Sequence, residues 1–294
     1  MFRTAALTFV LFVAPLCAQT ADEKKASVAY LLTLRQADGG FLPATPNPTL
    51  DQIPKSSLRA TSAAARAIRY LGDELKDREK SAAFVRACYD AKSGIYADRP
   101  GGIGDVTTTA VGMMAAAELE PKTHFADSVE YLAKTAKSFE ERRLAVAGFE
   151  AAKTFPEVIK DWFDEIDKSA NADGTHGTGD GRARQTASVA AMILRTGTGI
   201  PADQRKAILA AIRDGQRPDG GFGKADAKGS DLETSYRVMR AFHLMKERPT
   251  DVKKLTAFIA QCRNKEGGYG VEPGQLSGVS GTYYAVVIGK WLTE

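Results

Sequence analysis

The sequence predicts an all-α fold, an α/α toroid of six helical hairpins in two concentric rings. Three observations predict it. A glycine-rich loop recurs five times, as "RQADGGFLP" (35–43), "AKSGIYADRPGG" (91–102), "NADGTHGTGDG" (171–181), "GQRPDGGFGK" (215–224) and "RNKEGGYGVEPG" (263–274). Each loop follows an amphipathic helical run and precedes a second helix that opens with hydroxyl residues: "RATSAAARAIRYL", "DVTTTAVGMMAAA", "RQTASVAAMILRT", "ETSYRVMRAFHLM" and "GTYYAVVIGKWL". The units start near residues 25, 78, 123, 155, 202 and 250. That spacing, about 30 to 50 residues, is the length of a helix-hairpin repeat.

The N-terminus stands apart from the repeats. "MFRTAALTFVLFVAPLCAQTADEKK" has one cation, Arg3, then a short apolar run and small residues at Cys17 and Ala18 before a charged stretch. This is the anatomy of a secretory signal peptide, residues 1–18, which leaves 19–294 as the toroid domain and a secreted or periplasmic location. No other apolar run is long enough to span a bilayer, so the processed chain carries no integral membrane segment.

Unit one (from 25) and unit two (from 78) carry full glycine loops. Unit three, about residues 123–153, has two helical runs without the loop; units four, five and six restore it. Paired Gly opens backbone conformations closed to other residues, so the chain reverses tightly between helices. The aromatic that follows packs down between hairpins. First helices are richer in Lys, Arg and Glu, as an outer, solvated ring should be. Second helices are rich in Ala, Ser, Thr and Gly, which lets them approach one another. An open superhelix is the competing geometry. Two apolar stripes, Leu232, Tyr236, Met239 and Val238, Phe242, Met245, favour a closed ring.

The 294 residues are 44% apolar and 26% charged, an ordinary globular balance. Loss of Arg3 and of no acid takes the net charge from +4 to +3. Its signs are mixed along the chain, which points to no nucleic-acid partner. Cys88 and Cys262 occupy equivalent places in two units, six residues before Gly94 and Gly268. Equivalent places in different repeats are far apart, so two buried thiols are expected and no disulfide.

The stretch "QRPDGGFG…DLETSYRV" resembles the repeat of the protein prenyltransferase β-subunits and the squalene/oxidosqualene cyclases, and is most similar to the geranylgeranyltransferase type II β-subunit. The similarity covers nearly the whole mature chain. In the prenyltransferases a "D-x-C-Y-S" segment and a "D-x-x-H-T" segment supply zinc ligands. "DLETS" matches the first, so Asp231 stands at the Asp position and Glu233 replaces Cys. "GVSGT" (278–282) matches the second, so Gly281 replaces His and Gly278 replaces Asp. A carboxylate pair without thiolate or imidazole is a poor zinc site, so no metal and no cofactor is expected.

The resemblance also implies diphosphate contacts in "KADAKGSD", where Lys228 precedes Asp231 by three residues, Ala225 replaces an Arg, and Lys224 is adjacent. Of the cyclases' acidic motif only Glu233 remains. The resemblance therefore places any chemistry at Asp231 and Glu233, with Lys224 and Lys228 as ligand-binding cations. "SDLE" also reads as a capping box with Ser230 as cap and Glu233 reaching back. Asp105 caps before "VTTTA". Tyr236, Tyr283 and Tyr284 fall at helical spacing on inner helices, where core lining is also cavity wall.

Parallel inner helices would gather their positive N-termini at one mouth, suited to a diphosphate or carboxylate head. Below it an apolar pit is expected, for an isoprenoid-type or other apolar small molecule. If the chain is an enzyme, the resemblance implies prenyl transfer of geranylgeranyl type. The alternative is a non-catalytic toroid that carries a ligand or engages a protein partner. A glycan-active α/α barrel would need facing carboxylates and aromatic sugar platforms, which the sequence does not place.

Overall fold

The computed structural model describes residues 19–46 and 54–294. The expected signal peptide, 1–18, lies outside the described residues. Twelve α-helices occur among them: α1 Ala21–Thr33, α2 Leu58–Tyr70, α3 Arg78–Ala87, α4 Val106–Leu119, α5 Ala126–Thr135, α6 Phe139–Ala152, α7 Val158–Asp167, α8 Arg182–Arg195, α9 Ala202–Asp214, α10 Leu232–Met245, α11 Val252–Gln261 and α12 Val279–Thr293. The sheet among the described residues is two short strands, β1 Tyr89–Asp90 and β2 Ile95–Tyr96, paired antiparallel across the second loop. Among the described helices none is long and apolar enough to cross a membrane.

The even-numbered helices form the inner ring. α2 packs on α4, α4 on α6, α6 on α8, α8 on α10, α10 on α12, and α12 returns to α2. Two hydrogen bonds stitch the closure: Ser27 Oγ donates to the Gly267 carbonyl at 2.8 Å, and Val279 N donates to the Pro43 carbonyl at 2.9 Å. The closed toroid is thus the architecture, and the superhelix is not.

The recurring loop has a physical explanation in five hydrogen bonds. The backbone N–H after each glycine turn donates to a hydroxyl on the following inner helix. The pairs are Phe41 to Thr61 at 3.0 Å, Tyr96 to Thr109 at 3.1 Å, His176 to Thr186 at 3.0 Å, Phe222 to Ser235 at 3.0 Å and Tyr269 to Thr282 at 3.1 Å. Phe41, Phe222 and Tyr269 are essentially inaccessible, so each aromatic is a buried peg held by its own backbone. Such a donor has no water to bond, which is why a hydroxyl sits at that place in the inner helix.

Each loop also leans on the next outer helix. Ser81 Oγ and Ser128 Oγ donate to the carbonyls of Gly39 and Gly94 at 2.7 Å, as Ser27 does for Gly267. Gly220, at φ +93°, approaches Lys254 so closely that a Cβ would overlap its backbone. Unit three lacks this brace: α5 and α6 are joined by Ala136–Ser138 alone. Trp162 of α7 still stacks on Phe149 of α6, with ring centroids 6.0 Å apart. Cys88 and Cys262 are buried free thiols, as expected. Burial pushes both up to about 12, so they stay protonated.

Candidate functional site: the toroid axis and the cleft beside it

Neighbouring inner helices run parallel, because their matching ends meet. Arg69 in the last turn of α2 bonds Glu118 in the last turn of α4 at 2.8 Å, and Arg195 at the end of α8 pairs with Glu150 near the end of α6. All six N-termini therefore share one rim. Ser57, Asp105, Ser138 and Asp231 cap four of them with side-chain oxygens, while Gly181 and Gly278 begin α8 and α12 without a side-chain cap.

The capping-box expectation needs correction at the start of α10. Asp231, not Ser230, is the cap: Asp231 Oδ1 accepts from Thr234 N at 2.7 Å and Oδ2 from Thr234 Oγ1 at 2.8 Å. Ser230 Oγ instead donates to Asp219 Oδ1 of the glycine loop at 2.7 Å. Register decides this, since the Asp231 N–H is already bonded to the Phe222 carbonyl at 3.0 Å and Ser230 lies outside the helix.

Glu233 does not reach back either. Its carboxylate takes Arg237 Nη2 at 2.7 Å, with Lys224 Nζ at 3.8 Å and Arg184 at 3.9 Å. Lys224 is 56% exposed at the rim. Lys228 is exposed and faces away, lining a groove with Asp180, Asp214 and Arg217. The sequence-predicted pair of cations thus does not converge.

These residues do not fit a zinc ion. Asp231 is nearly inaccessible and spent on its cap, and Glu233 is held by cations. At Gly281 a Cβ would overlap the Tyr269 carbonyl and lie 2.8 Å from Gly270, so no imidazole can enter there. No group of three metal-type ligands occurs among the described residues.

Tyr236, Tyr283 and Tyr284 do come together on the axis. The ring centroids of Tyr236 lie 5.5 Å from Tyr283, 5.0 Å from Tyr284 and 5.5 Å from Trp291. The hydroxyls of Tyr236 and Tyr283 are 3.1 Å apart. What surrounds them overturns the apolar pit. Arg240 lies over the Tyr236 and Trp291 rings at 5.0 and 4.8 Å, and its Nη2 donates to the Tyr236 hydroxyl. Arg66 lies 4.6 Å from the Tyr283 centroid and donates to its hydroxyl at 3.0 Å.

Below the rim, Arg143, Arg195, Arg237 and Arg240 enclose with Tyr236, Ser188, Ala191 and Met192 a chamber of only 40 Å³. This chamber is cationic and too small for a hydrocarbon chain. The reason is geometric. Apolar faces of the inner helices, such as Val238 and Phe242, are consumed against neighbouring helices, so the stripe left over for the axis carries the arginines.

This field sets the acid–base state of the site. Burial opposes ionisation of Tyr236, yet the guanidiniums of Arg240, Arg66 and Arg195 outweigh it and pull the phenol down to about 7. Its partner Tyr283 moves the opposite way, chiefly by burial. Glu140 bridges Arg143 and Arg237 at 2.9 and 2.7 Å. Partial burial works against its charge, but the two guanidiniums hold it down to about 2, so it is no proton donor near neutrality.

A larger space opens beside the axis. A cleft of 570 Å³ lies between α6 and α8, where unit three has no brace. Phe139, Ile166 and Val189 give it apolar wall; Arg142, Arg184, His176, Glu140 and Glu165 give it polar wall, with Glu165 paired to Arg142 at 2.7 Å. Burial lowers His176, which keeps it neutral. Arg142 and Arg184 each present a buried Nε with no hydrogen-bond partner. Ser188 lines both cleft and chamber. The missing loop was visible in the sequence; the inward arginines, one or two on most inner helices, were a signal left unread.

Comparison with known proteins adds the family. The prenyltransferase alpha-alpha toroid domain matches over residues 2–153 and 144–293. No curated protein matches the chain. Among solved structures, the type II terpene cyclase MstE from Scytonema is similar at TM-score 0.62 and 13% identity, covering 93% of this chain and 97% of that one. An alpha-amylase from Clostridium perfringens is similar at 0.59 and 11%, covering 92% and 97%. The ent-copalyl diphosphate synthase from Streptomyces platensis is similar at 0.51 and 14%, covering 80% of this chain and 50% of that one. At such identities the likeness is one of fold alone. With both halves of the sequence matched and the ring closed on itself, this chain belongs to the prenyltransferase alpha-alpha toroid domain family.

Proposed function

We propose that this toroid is a small-molecule-binding protein that seats an isoprenoid-type or other apolar ligand, anionic at one end, in the cleft between α6 and α8. The single observation that carries the reading is the cleft itself, 570 Å³ with an apolar wall and two arginines, Arg142 and Arg184, whose buried Nε atoms have no partner. Ligand clefts run from about 300 to 1,000 Å³ and combine apolar walls with a few placed polar groups. A variant of MstE is described in complex with geranylgeranyl dihydroxybenzoate, which supports the ligand class by analogy of fold. Prenyl transfer is not part of this reading, because Glu233 serves to anchor Arg237 and Gly281 has no side chain to offer. The N-terminal pattern supports action outside the cytoplasm.

The test is titration calorimetry with geranylgeranyl diphosphate and with geranylgeraniol, which lacks the anionic head. The diphosphate should bind at least tenfold tighter than the alcohol. Arg142→Gln with Arg184→Gln should remove most of that difference. Equal affinity for both probes, or none for either, would refute the reading.

A further inference from the structure

The axis of the ring has an imbalance of charge that the cleft does not explain. Four guanidiniums, Arg143, Arg195, Arg237 and Arg240, share the wall of one 40 Å³ chamber. Arg143 and Arg237 divide Glu140 between them, Arg237 also takes Glu233, and Arg195 has Glu150 at the far end of α6. Arg240 has no carboxylate within ion-pair distance among the described residues. It has only the Tyr236 hydroxyl and two aromatic faces, and its buried Nε has no acceptor. Arg66, beyond Tyr236, also lacks a carboxylate among them and is met by Tyr283, a backbone carbonyl of Ser62 and Met114 Sδ.

A buried guanidinium without an anion is costly, and an unsatisfied donor adds to that cost. Fixed positive groups around a small hollow form an anion cradle, because planar guanidiniums offer paired N–H donors to an oxyanion. The hollow is the right size for it. A water needs about 10–15 Å³ of such space, so the chamber has room for one small oxyanion and for nothing longer. Ser188 and Tyr236 also line its wall, their hydroxyls bonded to the Arg184 carbonyl and to the Tyr283 hydroxyl.

We propose that the axial chamber is a binding site for one small oxyanion, inorganic phosphate or the carboxylate or phosphate head of a larger molecule, held by Arg143, Arg195, Arg237 and Arg240. This site lies below the rim and apart from Lys224 and Lys228, where the resemblance set diphosphate contacts. Arg240 is its anchor, since it is the one guanidinium of the four without a carboxylate partner among the described residues. Ser188 lines both the chamber and the cleft, so the two spaces are neighbours.

The experiment uses the full mature chain and inorganic phosphate as the probe, in calorimetry at constant ionic strength with chloride as the reference. Phosphate should bind at one site per chain and raise the melting temperature relative to chloride. Arg240→Gln and Arg143→Gln should each weaken it at least tenfold, with near-ultraviolet circular dichroism confirming a native fold. A second readout needs no substitution. A bound anion beside Tyr236 must make its phenol harder to ionise, so phosphate should shift the neutral-range tyrosinate absorbance to higher pH.

Two further arms separate the sources of the oxyanion. Competition between phosphate and geranylgeranyl diphosphate assigns the chamber to a head group, and simultaneous binding assigns it to a free ion; either supports the site. Absence of phosphate binding together with an unshifted tyrosinate titration overturns the proposal. Loss of phosphate binding in Arg142→Gln with none in Arg240→Gln also overturns it, by placing the ion in the cleft. A chain that binds phosphate and no isoprenoid keeps this inference and loses the proposed function, so the two fail separately.

Discussion

Arg237 on α10 holds Glu140 on α6 at 2.7 Å across 97 positions of chain, and α8 stands between those helices in the ring. The pair is a strut across the axis. Its carboxylate, Glu140, also lines the 570 Å³ cleft to one side.

The strut sets an acid-side dependence of stability. Glu140 has a folded value of about 2 against an ordinary 4.5, so its contribution is complete above about pH 4.5 and fades as pH falls toward 2. Glu140→Gln should remove that part of the acid sensitivity and lower stability at pH 7. The loss should be about 1–2 kcal/mol, less than for a fully buried pair because the carboxylate side chain is 48% exposed. Chemical denaturation from pH 7 to pH 2 measures it; parallel curves for both proteins would count against the strut.

Tyr236 should report on the arginine field. Its folded phenol ionises near 7 and the unfolded one near 10, so the tyrosinate contributes stability that is fully present above about pH 10 and is lost as pH falls through 7. Absorbance at tyrosinate wavelengths should show about one phenol per chain titrating near neutrality without added phosphate, and Tyr236→Phe should abolish that step. A first titration only near pH 10 would show that the field is too weak.

Asp231→Ala should cost about 1 kcal/mol, the usual worth of a helix cap, because it frees the amide of Thr234. Ser230→Ala should leave the start of α10 intact while loosening the glycine loop at Asp219. Thermal melts of the two variants, with elemental analysis alongside, test both parts. Stoichiometric zinc that disappears in Asp231→Ala would reverse the assignment.

Gly220→Ala should destabilise by at least about 1 kcal/mol, roughly 2–4 °C in melting temperature. The residue sits at φ +93° against the Lys254 backbone, so strain and overlap act together. Gly199→Ala, where nothing lies within 4 Å of the added methyl and φ is not positive, provides the contrast. Equal melting temperatures for the two variants would undo the account of the loop.

Mature protein from the native host should begin at Gln19. N-terminal sequencing checks this, and a chain that starts at Met1 would remove the basis for export.

Six hairpins, five glycine loops, a sixth unit without one, and buried thiols at Cys88 and Cys262 were all legible in the sequence. Each is a local requirement. A left-handed turn favours Gly, a buried N–H needs a hydroxyl such as Ser235, and such needs recur in the five units that carry the loop. The cap of α10 was legible only in part, because whether Ser230 or Asp231 begins the helix depends on the bond from Asp231 N to Phe222. The character of the axis was decided by tertiary structure alone. An inner helix with apolar residues on several faces does not say which stripe its neighbours will cover. Closure of the ring covered Val238 and Phe242 and left Arg237 and Arg240 for the centre. Glu140, the carboxylate that makes Arg237 tolerable there, comes from a helix 97 residues away, a distance over which sequence periodicity carries no information.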